Sequence, residues 1–196
     1  MTCSNVHCRR GYAWVVGSIG RAIASSYFSD LQKRFSSRVT SGIVLVGLDD
    51  DIAVLSSSLQ IMEEQCPAAF RVVCRYIRAV AMFDRPFPRA SLCNGVVFIR
   101  RDPRIPATRV SAYLVRLAIQ VRLYQQFKMY EVLLGDAHLM RLSYQKELAI
   151  MIHLNCGEPL ISEQRAFIER CGSKQNRPPN PPPAAAGAAP SQRSPT

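Results

Sequence analysis

Leu48, Ile52, Leu55, Leu59 and Met62 recur at 4-3-4-3 spacing, and that stripe constrains the fold more than any other feature of the chain. Residues at those intervals share one side of an α-helix, so the stripe predicts an amphipathic helix with one buried face. The stretch Gly42 to Gly47 before it either extends this helix or forms a strand. Pro67 suits the first turn of a new helix, whose face is Phe70, Val73, Cys74 and Ile77. Arg78 to Phe83 then reads as a strand ended by Pro86 and Pro88. Gly95 to Ile99 reads as a second strand, bounded by Asn94-Gly95 and Asp102-Pro103. A long helix is expected from Ala107 to Lys128, with Val110, Tyr113, Leu114, Leu117, Ala118 and Val121 on one face. Asp136 can cap another over 137–154, with the stripe Ala137, Met140, Tyr144, Leu148 and Met151, stopped by Asn155-Cys156-Gly157. Ser162 to Cys171 reads as a last short helix, capped by Ser162 and closed by Gly172. That order predicts a mainly helical α+β fold with a small antiparallel sheet packed on two long helices.

The ends of the chain differ in character from this middle. Residues 1–40 read as an N-terminal amphipathic helical segment running through Phe28, Leu31 and Phe35. Its opening, Arg9-Arg10 before a short apolar stretch, is like the start of a secretory signal, but Arg21 interrupts the stretch and no cleavage context follows. Residues 173–196 carry seven of the 13 prolines, an Ala/Gly stretch, three basic residues and no acid. Such a segment has little to bury and reads as a disordered tail, leaving 41–172 as the α+β domain. The seven cysteines are odd in number and form no C-x-x-C pair. Reduced, buried thiols in a cytoplasmic protein are the simplest expectation. Cys3, His7 and Cys8 are possible metal ligands, but no matching second half accompanies them.

Several phrases resemble one group of proteins. Pro67-Ala68-Ala69-Phe70-Arg71 runs through to Ile77-Arg78, and Ala112-Tyr113-Leu114-Val115 is followed by Arg122-Leu123. Glu147-Leu148-Ala149 leads to Gly157-Glu158-Pro159-Leu160. Over about Phe35 to Gly172 these are similar to the compact bacterial zinc metallopeptidases of the gluzincin kind. The resemblance implies a minimal zincin-like core, with H-E-x-x-H on the long helix and a glutamate on a second helix. Here the first histidine position is Arg116, the general-base position Leu117 and the second histidine position Gln120, while the second-helix glutamate falls near Met140. A zincin needs two imidazoles one helical turn apart and a carboxylate to take a proton from bound water. Arginine keeps its charge in a protein. A zinc ion about 4 Å from that guanidinium meets a repulsion on the order of 8 kcal/mol at an effective dielectric of about 20. The resemblance therefore implies a degenerate, non-catalytic member with no metal or other cofactor.

Other chemistry is sparse. His138 and His153 have no obvious catalytic partners, and Asp49-Asp50-Asp51 read best as favourable charge at a helix N-terminus. Arg109 and Arg116 lie seven residues apart on the expected helix, with Gln120 one turn further. These three, together with Glu147 on the neighbouring helix, are the candidate cleft residues. Arg116 either forms an internal ion pair with Glu147 or grips an acidic or C-terminal carboxylate of a protein partner. The net charge of +11 and eleven arginines between Arg71 and Arg122 raise a rival, a small basic protein that binds nucleic acid or another protein. No run of 18 or more apolar residues predicts a transmembrane segment.

Overall fold

The computed structural model describes the backbone of residues 4–84 and 89–173. Pro86 and Pro88, the cluster Cys3, His7 and Cys8, and the tail beyond Ser173 lie outside the residues whose side chains it describes. The chain opens with α1 (Ser4–Arg34), followed by β1 (Ser36–Thr40) and β2 (Ile43–Gly47). Next come α2 (Asp49–Gln65), α3 (Pro67–Tyr76) and β3 (Ala79–Phe83). A 3-10 helix (Arg89–Asn94) leads into β4 (Val96–Arg100). The rest is helical: α4 (Ala107–Phe127), α5 (Glu131–Leu134), α6 (Arg141–His153) and α7 (Glu158–Ser173). The fold is a mainly helical α+β structure with a small sheet packed against helices.

The sheet is not antiparallel throughout, as the order of elements led one to expect. Its strands lie in sequence order, and only β1 and β2 pair antiparallel; β2–β3 and β3–β4 are parallel. The reason is in the connections. Ser41 and Gly42, both at positive φ, close the β1–β2 hairpin in two residues. The other two links run through α2 and α3 and through the 3-10 helix, long enough for crossovers. A sheet with parallel strands needs both faces covered, and this one has that cover. Ile43, Leu45, Val80, Met82, Val97 and Ile99 join the main core with residues of α2, α3 and α4. Val46, Ala79 and Ala81 pack with Phe28 and Leu31 of α1 on the opposite face. Residues 1–40 are therefore no separate segment. They supply a covering helix and a strand, and a boundary at 40/41 cuts the β1–β2 hairpin.

Three further boundaries move. Gly42 to Gly47 resolves to a turn residue and a strand. The Asp136 carboxylate accepts the backbone N–H groups of His138 and Leu139 at 3.0 and 3.1 Å, as a cap does, but 137–140 is a turn and the helix expected over 137–154 begins at Arg141. The last helix starts at Glu158, with Pro159 in its first turn, so Ser162 is interior and its hydroxyl bonds the Glu158 carboxylate at 3.0 Å. Gly95 shows why Asn94-Gly95 precedes β4. It sits at φ +70°, and an added Cβ would drive into the Tyr76 carbonyl oxygen.

At the centre, α4 is buried almost all round, since α2, α3, α6 and the 3-10 helix all pack on it. Two serines let α2 and α4 approach closely. Ser111 donates to the Ser58 carbonyl at 2.9 Å, and Ser58 to the Ala107 carbonyl at 3.0 Å. Cys66, Cys93, Cys156 and Cys171 are buried free thiols and Cys74 is half-buried.

Candidate functional site

Arg109, Tyr113, Arg116 and Gln120 sit at 4-3-4 spacing on α4 and form one stripe. That stripe faces α6, which lies alongside and carries Ser143, Glu147 and Met151 at four-residue intervals. Of the six sequence-derived candidates, Arg109, Arg116, Gln120 and Glu147 lie on these facing sides of α4 and α6. The Glu147 side chain is fully buried, at 0 % exposure. Arg109 Nη1 donates to Glu147 Oε1 at 2.8 Å, and Arg116 Nη1 lies 3.3 Å from Oε2. Gln164 of α7 donates to the same Oε2 at 2.9 Å. Arg109 also contacts Met151 Sδ and the Gln164 side-chain oxygen. Gln120 donates to Ser143 Oγ at 3.3 Å, and that hydroxyl donates to the Met140 carbonyl.

Burial and charge act against each other at Glu147. Desolvation pushes its carboxyl above the ordinary range, while Arg116, Arg109 and the Gln164 hydrogen bond pull it back without cancelling the rise. Arg116, at 15 % exposure, stacks over two rings, with Cζ 4.0 Å from the centre of Tyr113 and 4.9 Å from that of Tyr144. These rings give a largely desolvated guanidinium the electrostatic cover that water otherwise supplies. Its Nε is buried with no hydrogen-bond partner. Two guanidiniums thus share one carboxylate, and the cluster keeps one excess positive charge.

Met140 does not supply this chemistry. It is a buried apolar residue that precedes α6, and the side-chain carboxylate that reaches Arg116 is Glu147. Leu117, at the general-base position, is an apolar core residue. Among the described residues, no three His, Cys, Asp or Glu side chains gather where they could hold a metal ion. His138 Nδ1 is buried without a partner, and His153 Nε2 lies 3.0 Å from the Gln65 carbonyl oxygen.

A pocket of about 360 Å³ opens beside the cluster. It lies outside the carboxyl ends of β3 and β4, the place where open sheets with parallel strands leave a crevice. Val54, Met82, Ile99 and Ile105 give it apolar walls, and Arg109 and Tyr113 line the α4 side. On the rim, Arg101 Nε pairs with the buried Asp51 carboxylate at 3.0 Å. Asp51 also accepts the Leu48 N–H at 3.1 Å, so beyond the favourable charge read from sequence for the three aspartates it makes a capping contact on α2 and ties the pocket rim as well. The Arg101–Asp51 pair, Gln164 and the ring stacking were missed by sequence reasoning. Each depends on tertiary approach, although the Arg109/Arg116 spacing pointed at the right helix face. No family model, curated protein or solved structure matches this chain.

Proposed function

We propose that this chain is a non-catalytic relative of zinc metallopeptidases that acts as a protein-binding domain, taking an acidic or C-terminal carboxylate of its partner into the pocket beside α4. The observation that carries this is the shared carboxylate. Arg109 and Arg116 both pair with Glu147, so this cluster holds one excess positive charge, and Arg109 brings it to the cavity, whose lining otherwise has Asp50, Asp51 and Asp102 against Arg100 and Arg101. A guanidinium can grip a carboxylate in bidentate fashion, and apolar walls suit the side chains around it. Of the two positions where the resemblance puts histidines, Arg116 belongs to this cluster and Gln120 bonds Ser143 one turn further along α4. A metal ion there would meet fixed guanidiniums on Glu147, and the general-base position of the resemblance holds Leu117, which cannot take a proton. Arg101, Arg109 and Arg116, which the nucleic-acid alternative counted as free surface charge, are held by Asp51 and Glu147.

The test is selection of random octapeptides with free C-termini, set against the same library amidated and, separately, enriched in Asp and Glu. Retention of free-carboxyl or acidic peptides, weakened about tenfold or more by Arg109→Gln, is the expected result. Equal retention of neutral amidated peptides overturns the carboxylate reading. One zinc per chain after dialysis against zinc chloride and a chelator wash overturns the metal-free reading.

A further inference from the structure

The pocket beside α4 is lined in three ways, and together they select more than a carboxylate. Val54, Met82, Ile99, Ile105 and Val110 give it aliphatic walls. Met82, Ile99 and Val110 are buried, and Val54 and Ile105 are half-buried. Arg109 brings positive charge to it from the largely buried cluster on α4. The exposed part of the lining has the opposite excess. Asp51 and Arg101 pair with each other at 3.0 Å. Of the exposed charges, Asp50 and Asp102 stand against Arg100 alone, and none of the three makes an ion pair among the described residues. The volume of about 360 Å³ lies at the small end of the roughly 300–1,000 Å³ usual for ligand pockets. That is room for the last residue or two of a chain, and not for a helix.

We infer that the pocket takes the C-terminal residue of a peptide whose last side chain is large and apolar and whose preceding residues are basic. This rests on the carboxylate reading above and narrows it. A C-terminal residue joins its carboxylate and its side chain through one Cα. A leucine there supplies the anion for Arg109 and an apolar group for the aliphatic walls at once. An internal Asp or Glu uses its side chain as the anion and has no apolar group left for those walls. An acidic segment also brings further negative charge towards Asp50 and Asp102, which is unfavourable. A Lys or Arg upstream of the terminus meets the same two aspartates favourably.

The experiment measures fluorescence anisotropy of octapeptides, labelled at the N-terminus, with the full chain. The peptides differ in the last residue (Leu, Ser or Asp), in a Lys or Glu upstream of it, and in a free or amidated C-terminus. The free-acid peptide with Leu and Lys should bind best. Ser in place of Leu should weaken binding about tenfold or more, and Glu in place of Lys by about twofold to fivefold. Ile105→Gln should reduce the preference for Leu over Ser; should that variant fail to fold, Val54→Thr reads the same wall. Asp50→Asn combined with Asp102→Asn should remove the preference for Lys. Free acids that bind better than amides, but equally with Leu and Ser, overturn this inference and leave the carboxylate reading standing. A preference for the Asp peptide does the same. Equal binding of acids and amides, or none, overturns both. A Lys preference that survives the double Asn variant overturns the part given to Asp50 and Asp102. Displacement of the peptide by free leucine at equal concentration overturns the peptide source and assigns the pocket to a small molecule.

Discussion

Removing Glu147 should damage the isolated protein more than removing Arg116, and the difference can be worked from the cluster. Glu147→Met leaves Arg109 and Arg116 without their carboxylate in a largely desolvated place. Stranding buried charge in this way costs about 3–5 kcal/mol. Arg116→Met leaves no such orphan, because Glu147 keeps Arg109 at 2.8 Å and Gln164 at 2.9 Å. The lost attraction at 3.3 Å is about 5 kcal/mol gross at an effective dielectric of about 20. Most of that is offset, since the guanidinium no longer has to be desolvated on folding. Loss of the ring stacking adds about 1 kcal/mol, for a net cost of about 2 kcal/mol. For a domain of this size each kcal/mol moves the melting temperature by about 2–4 °C. Glu147→Met should therefore melt about 6–20 °C lower than the parent and Arg116→Met about 4–8 °C lower, by calorimetry at neutral pH. The double variant should be less destabilised than the sum of the two. If Arg116→Met is the more damaging, the shared-carboxylate account is wrong. If neither variant shifts the transition, the cluster is solvated and the charge argument for the pocket goes with it.

Other outcomes follow from the same geometry. Gly95→Ala should cost more than 2 kcal/mol, roughly, because it combines a positive φ with a collision against the Tyr76 carbonyl; urea unfolding will show it. Glu147→Gln should flatten the pH dependence of stability. The folded pKa of Glu147 is raised, so its contribution is fully present below the ordinary carboxylate range and is lost as pH rises through the folded value. Thermal melts of parent and variant across mildly acidic pH should therefore diverge in slope there and run parallel at neutral pH. Installing Arg116→His, Leu117→Glu and Gln120→His together, with Arg109→Gln to take the second guanidinium off Glu147, should let the chain take up one zinc ion by elemental analysis, and adding Glu147→Gln should abolish uptake.

The helices that carry the core were legible because their apolar residues repeat with the helical period. The Ile52-to-Met62 stripe and the Ala107 start fall where the periodicity puts them. The strands were harder. Ile43-Val44-Leu45-Val46 is a continuous apolar run with no alternation, and such a run fits a buried strand or a helix equally well. Strand direction was not readable at all from the spacing of Phe83 and Gly95. About a dozen residues allow a long hairpin or a crossover, and only the cover that α1 gives to Ala79 and Ala81 favours the parallel arrangement. Within the candidate site, Arg109, Arg116, Gln120 and Glu147 were legible from helix geometry. The partners that complete it come from α7 and from ring approach, which no local pattern encodes.

The layer that α1 forms over the sheet bears on how the chain folds. The β2–β3 pairing waits for two helices to form between its strands, and the β3–β4 pairing waits for its own crossover. Loop closure of this kind slows folding compared with a hairpin or a helix pair. During that interval Val46, Ala79 and Ala81 depend on a helix from the start of the chain to shield them from other chains. A chain shortened to begin after Arg34 would collapse around α4 but leave an apolar sheet face bare, and its fate would be set by concentration, aggregating where the intact chain refolds.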